Sequence, residues 1–189
     1  EPIRVTENLL AMSIAFILPD TTSPVIWRGP MKMSAIKQFL NRVNWGPLDY
    51  LVVDLPPGTG DEALTITQYA PNVKGAVIVT TPQDVAVMDA VKAAEFVEKL
   101  KVPVLGVIEN MSGMVCPHCG ELVNVFSRGG GKKSASDLGV PYLGAIPLDP
   151  EMVKAGDEGK PMILQQTGSL TAKAVEAVME NLVKQVESP

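Results

Sequence analysis

Cys116 and Cys119 are the only two cysteines of the chain, and His118, its only histidine, stands between them. Two thiolates separated by two residues can bind one metal together and supply half of a tetrahedral sulfur site. The chain has no further cysteine to complete that site, so a closed set of four thiolates requires a second copy of the same loop. A metal or cluster bridging a symmetric dimer is the sharpest chemistry this spacing predicts. Two other chemistries share the spacing. A dithiol oxidoreductase sets Cys-x-x-Cys at a helix N-terminus, where the dipole lowers the thiol pKa. Here a β-prone run follows, from Gly120 to Phe126, and no thioredoxin-like βαβ unit opens the chain. A pair of reduced, unliganded thiols is the plain alternative. His118 is expected to face solvent rather than a metal held by its neighbours.

A second group of residues points to phosphate chemistry. Asp54 ends the apolar run from Tyr50 to Val53 and is followed by Leu-Pro-Pro-Gly-Thr-Gly-Asp61. A carboxylate at the end of a hydrophobic strand orients Mg²⁺ in nucleotide-hydrolysing proteins. The turn after it leaves the backbone N–H of Gly58 bare enough to approach a γ-phosphate. An Asp in this place can equally cap the next helix. The usual phosphate cradle, Gly-x-x-x-x-Gly-Lys-Ser/Thr, is absent. Gly129-Gly-Gly-Lys-Lys-Ser134 lacks its glycine spacing and follows no clear parallel strand, so it is expected to be a flexible loop or a helix start.

Such residues need elements to hold them. Leu9 to Leu18 is short, apolar and followed by Pro19-Asp20, and reads as a buried strand. The loop 24–30 leads to an amphipathic helix with Pro30 as its first residue. Met33, Ile36, Phe39, Leu40 and Val43 share a face of it, and it ends near Trp45-Gly46-Pro47. Tyr50 to Asp54 reads as a second buried strand, then a sharp turn, then a helix from Glu62 to Ala70 stopped by Pro71. Gly75 to Thr80 is a strand, and Asp84 is a candidate N-cap for a helix from Val85 to Leu100. Val102 to Ile108 is the strand before the cysteine loop. A short helix closed by Gly139, a strand from Tyr142 to Ile146 and a short helix from Asp149 to Gly156 come next. A last amphipathic helix spans Leu170 to Val186.

Apolar strands alternating with helices predict an α/β fold, with a mostly parallel sheet covered by helices on both faces. At 189 residues the chain fits a single domain. Ligands of such sheets bind beyond the carboxyl ends of the strands. Those ends carry Asp54 to Asp61, Thr80 to Asp84, Glu109-Asn110 and Ile146 to Asp149. A net charge of −5 argues against a nucleic-acid surface. No apolar run reaches transmembrane length, no signal-peptide pattern opens the chain, and the last helix lacks a basic face. Neither nucleic acid nor membrane is expected as a partner. The cysteine pair fits a reducing, cytoplasmic location.

Several longer runs stand out: Val25-Ile-Trp-Arg-Gly-Pro-Met31, the stretch from Trp45 through Asp54 to Pro-Pro-Gly-Thr-Gly-Asp61, and Gly75 to Ala86. Gly106-Val-Ile-Glu-Asn-Met-Ser112, Cys116-Pro-His-Cys-Gly120 and Gly144-Ala-Ile-Pro-Leu-Asp149 follow. Together they resemble the Mrp/ApbC-type P-loop ATPases that carry and deliver iron–sulfur clusters, relatives of the MinD/ParA and nitrogenase-iron-protein class. The resemblance implies Asp54 as the Walker B acid and Gly58 as the switch residue that senses γ-phosphate. It implies Asn110 as the adenine-recognising residue, with Pro147 and Asp149 lining the base pocket. Cys116 and Cys119 would ligate a labile [4Fe–4S] cluster with their twins in a homodimer, for transfer to apo iron–sulfur proteins. ATP and Mg²⁺ would be cofactors, with ATP hydrolysis in the complete protein. Four thiolates suit Zn²⁺ equally, so a nucleotide-binding dimer with structural zinc is the alternative. A MinD-like membrane-partitioning ATPase is disfavoured by the missing basic face.

The family's Walker A loop, with its two lysines, lies N-terminal to all of these segments. In this class the phosphate-loop strand sits beside the Asp54 strand. The chain is therefore expected to be the C-terminal portion of a P-loop ATPase domain. Alone it should neither fold stably nor bind ATP, since each unsatisfied backbone group in a core costs about 1–3 kcal/mol. A cooperative thermal transition together with tight ATP binding by these residues would sink that expectation.

Overall fold

A computed structural model describes residues 1–18, 20, 26–116, 118, 119, 121–161 and 168–188. The chain divides into two compact units, Glu1–Val73 and Lys74–Pro189.

In the first unit, β1 (Ile3–Thr6) pairs antiparallel with β2 (Leu9–Ala11), setting Ile3 opposite Ala11 and Arg4 opposite Leu10. The strand expected from Leu9 to Leu18 thus stops at Ala11. The Ser13 hydroxyl accepts a hydrogen bond from the Ala15 amide at 3.2 Å and starts a 3₁₀ turn, Ile14–Ile17. A serine that bonds its own local backbone competes with a ladder. Phe16 and Ile17 are exposed as a result. Pro24 and Val25, at the head of the expected loop, lie outside the described residues. Helix α1 (Gly29–Arg42) carries a proline in its first turn, as expected. Beyond it the Trp45 indole donates to the Phe39 carbonyl at 2.9 Å. Helix α2 (Asp61–Tyr69) lies against α1 through a Lys32–Glu62 ion pair of 2.8 Å and the Lys37 ammonium 4.0 Å above the Tyr69 ring.

The strand expected from Tyr50 to Asp54 does not form. Residues 50–54 run without a ladder, and Val52 is 87% exposed. An extended segment becomes a strand only when a neighbour pairs with its backbone, and among the described residues no ladder includes this segment.

The second unit shows the expected parallel arrangement. Strands β3 (Ala76–Thr80), β4 (Val104–Glu109) and β7 (Tyr142–Ala145) lie in the order β3-β4-β7, all parallel. Helix α3 (Asp84–Lys99) connects the first two; Gln83 takes the N-cap position, so Asp84 opens the helix rather than capping it. Between β4 and β7 come a small antiparallel hairpin, β5 (Met114–Val115) with β6 (Leu122–Val123), and helix α4 (Gly130–Leu138). Helices α5 (Pro150–Asp157) and α6 (Leu170–Glu187) complete the unit.

Successive residues of β4 face opposite ways, as a pleat requires. Val107 joins Ile78, Ala90, Ala94 and Ala135 under α3 and α4, while Ile108 joins Leu143 and Val178 under α6. Both faces of the sheet are therefore covered, which is what its near-continuous apolar strands demand. Gly144 sets how closely α6 sits: a Cβ there would lie 2.7 Å from Val178 Cγ2. The Asn181 amide of α6 donates to the Leu143 carbonyl at 2.9 Å, occupying a backbone group of the edge strand β7.

Candidate functional site

The cysteines stand on a hairpin built out from the carboxyl end of β4. Asn110 follows that strand; its amide donates to the Thr80 carbonyl at 2.7 Å and its side-chain oxygen accepts from the Met111 amide at 2.9 Å. Met111 adopts φ +56°, a left-handed conformation that turns the chain out of the sheet. The Ser112 amide then donates to Ile146, and Gly113 accepts from the Leu148 amide at 2.7 Å, so the start of the excursion is tied to the segment after β7. In the hairpin Met114 stands opposite Val123 and Val115 opposite Leu122. The Cys116 amide donates to the Glu121 carbonyl at 2.9 Å, extending the pairing by one residue.

This pairing places both thiols in one turn. Both cysteines are free; Cys116 is half-buried and Cys119 exposed. The Cys119 amide above all, then the His118 amide and the Cys119 thiol, hold the Cys116 thiol below the ordinary cysteine range. Hydrogen bonds to sulfur favour the thiolate, the form that ligates metals. His118 is exposed, and Pro117 and Gly120 lie outside the described residues. Among the described residues no group of three His, Cys, Asp or Glu side chains converges on one point. What the hairpin presents is a two-thiol donor set.

Asn110 directly follows β4, and Pro147 and Asp149 follow β7, its parallel neighbour. Asp149 is already engaged at both oxygens. Oδ1 accepts from the Glu151 amide at 2.9 Å, capping α5, and Oδ2 accepts from the Thr171 hydroxyl at 2.6 Å, joining the start of α6. Asp54 and Gly58 belong to the other unit, on the exposed irregular stretch 50–60. Gly58 has φ +97° and nothing within 4 Å of a would-be Cβ, so its backbone is open to approach.

Two residues here had no role assigned from the sequence, although Glu109 was already placed at a ligand-facing strand end. Thr171 is one, joined to Asp149 across 22 positions. The other is Glu109, the last residue of β4 and 1% exposed. Its carboxylate accepts from the amides of Gly129 at 3.1 Å and Gly131 at 2.7 Å, and from the Ser112 hydroxyl. The glycine run 129–131 is thus the start of α4, and the Gly129 and Gly131 amides are satisfied from within the chain. An acidic residue ending a buried strand was the available signal, because a buried charge requires partners.

Comparison with known proteins places this arrangement. The family model for NUBPL iron-transfer P-loop NTPases, of the ParA group, matches residues 1–183. An iron–sulfur cluster carrier protein of Methanocaldococcus jannaschii is 50% identical over 189 residues, covering 98% of this chain and 63% of the relative. A probable cytosolic Fe–S cluster assembly factor of Schizosaccharomyces japonicus is 43% identical, over 94% of this chain and 31% of the relative. Among solved structures, an ADP complex of a nucleotide-binding protein from Archaeoglobus fulgidus superposes with a TM-score of 0.68 at 40% identity, covering 84% of this chain and 60% of that one. The Pyrococcus furiosus cell division ATPase MinD shares the fold, with a TM-score of 0.59 at 21% identity over 83% of this chain and 59% of its own. The chain spans less than two thirds of the length of the archaeal carrier protein it matches.

Proposed function

The chain belongs to the NUBPL iron-transfer P-loop NTPase family, and from that premise we propose that it carries a labile [4Fe–4S] cluster and delivers it to apo-proteins under the control of ATP. The observation that carries this reading is the hairpin turn, which holds two free thiols side by side with the Cys116 thiol pKa depressed. Two copies of the turn supply the four thiolates of a cluster with no other ligand needed. The cluster is cargo. On transfer each iron–thiolate bond to the carrier is replaced by one to a recipient cysteine, whose proton passes to the released carrier thiolate.

In the same reading Asp54 orients Mg²⁺, Gly58 responds to the γ-phosphate, and Asn110, Pro147 and Asp149 receive the base. These roles belong to the whole protein. The chain covers 63% of the length of the archaeal carrier protein. Free thiols suit a reducing cytoplasm, and one relative is described as cytosolic. No helix among the described residues is long and apolar enough to cross a membrane.

Native mass spectrometry after anaerobic reconstitution with iron and sulfide tests the proposal. A dimer with one [4Fe–4S] cluster, lost in Cys116→Ser and in Cys119→Ser, is the expected result. A dimer with one zinc and no iron would replace the carrier reading with a structural site, and a metal-free monomer would remove both.

A further inference from the structure

We propose that Glu109 is a positioning residue for the cysteine pair, because its carboxylate closes the neck of the loop that carries them. Between Ser112 and Gly129 the chain leaves the sheet, runs through β5, the cysteine turn and β6, and returns to α4. One oxygen, Oε1, accepts both from the Ser112 hydroxyl at the way out and from the Gly129 amide, at 3.1 Å, at the way back. Oε2 accepts from the Gly131 amide at 2.7 Å. A single side chain therefore grips both ends of the excursion.

The chemistry of the neck requires a carboxylate. Glu109 is 1% exposed, and among the described residues no cation lies within ion-pair distance of it. A buried charge in that position is tolerable only when donors converge on it. Three do, and two of them are amides at the start of α4, where the helix dipole favours negative charge. The glycines make the approach possible. A Cβ on Gly131 would lie 2.9 Å from the Glu109 Cβ, and one on Gly130 would lie 2.5 Å from the Pro82 carbonyl oxygen. A glutamine at 109 keeps the volume but turns one acceptor into a donor that faces donors. The grip is thereby lost without a cavity being made.

The role rests on the reading of Cys116 and Cys119 as the cargo site, and the test separates the two. In the whole protein, Glu109→Gln and Ser112→Ala are compared with Leu143→Ala, a cavity variant in the other core cluster. The first readout is amide hydrogen exchange of the metal-free protein. Exchange at Cys116, Gly129 and Gly131 is expected to quicken about tenfold or more in Glu109→Gln, as for loss of hydrogen bonds to a charge, whereas Leu143→Ala quickens β4 and β7. The second readout is iron loss from the reconstituted protein to a ferrous chelator, expected to be about tenfold faster in Glu109→Gln, less so in Ser112→Ala, and unchanged in Leu143→Ala. If Glu109→Gln fails to fold, Ser112→Ala carries the comparison, since it releases only the outgoing end. Cys116 exchange in the neck variants no faster than in Leu143→Ala would overturn the proposal. If the wild type takes up no cluster, the cargo reading falls, and the exchange data still decide the neck.

Discussion

At the scale of single residues, sequence spacing exposes chemistry carried by neighbours in the chain and hides chemistry assembled across it. Cys116 and Cys119 announce themselves because a turn brings them together whatever the rest of the fold does. Their environment yields a pH prediction. The Cys119 and His118 amides and the Cys119 thiol stabilise the Cys116 thiolate, so its pKa lies below that of a free cysteine. Iodoacetamide alkylation of Cys116 in the metal-free protein should therefore hold its rate as pH falls past about 8.5, where a free thiol slows. Cys119→Ala removes one of those bonds and should move the Cys116 midpoint upward; peptide mass spectrometry reads both. Asp149 shows the hidden kind. Nothing local says that Thr171 will bond it, yet Oδ2 is committed to that hydroxyl while Oδ1 caps α5. Thr171→Val should cost about 1.5–3 kcal/mol in urea unfolding, as loss of a hydrogen bond to a charged group. Asp149→Ala should cost about 1 kcal/mol more, because the cap goes too. Equal losses would mean that the cap contributes nothing.

At the scale of elements, periodicity served the helices well, since a helix makes its own hydrogen bonds and its apolar stripe needs only a surface to lie on. All five helices of the expected pattern downstream of residue 60 form, four of them within one residue of their expected bounds, while the one closed by Gly139 begins at Gly130. Strands are different, because each depends on a neighbour that its own sequence does not contain. The run from Leu9 was cut short by a serine that caps a turn, and the run from Tyr50 found no ladder. Where neighbours exist, packing is tight enough to test. Gly144 has φ +143° and faces Val178 of α6, so Gly144→Ala combines a strained backbone with a Cβ 2.7 Å from Cγ2. Overpacking of this kind costs about 1–3 kcal/mol. Adding Val178→Ala should restore part of that loss, and purely additive effects of the two changes would show that the contact is not the cause.

At the scale of the whole molecule, the two units are organised unequally. The second has a three-stranded parallel sheet with clusters on both faces, around Val107 and around Leu143. Among its described residues the first holds one short antiparallel pair, a 3₁₀ turn and two helices, and leaves Tyr50, Leu51, Val52 and Val53 exposed on a segment with no ladder. The run of apolar residues there is what a buried strand carries, which explains why one was expected. Local stability follows buried contacts and protected backbone bonds. Amides 51–54 of this chain should therefore exchange with solvent on the scale of unstructured peptides, while those of Val107 and Ile108 should exchange last. A chain of the length of the matched relatives provides the control. If the added residues supply an edge for 50–54, protection of these amides should rise by orders of magnitude while that of β4 changes little. Strong protection of 51–54 in the 189 residues alone would mean that the segment already has a neighbour, and the reading of it as a strand without a ladder would fall.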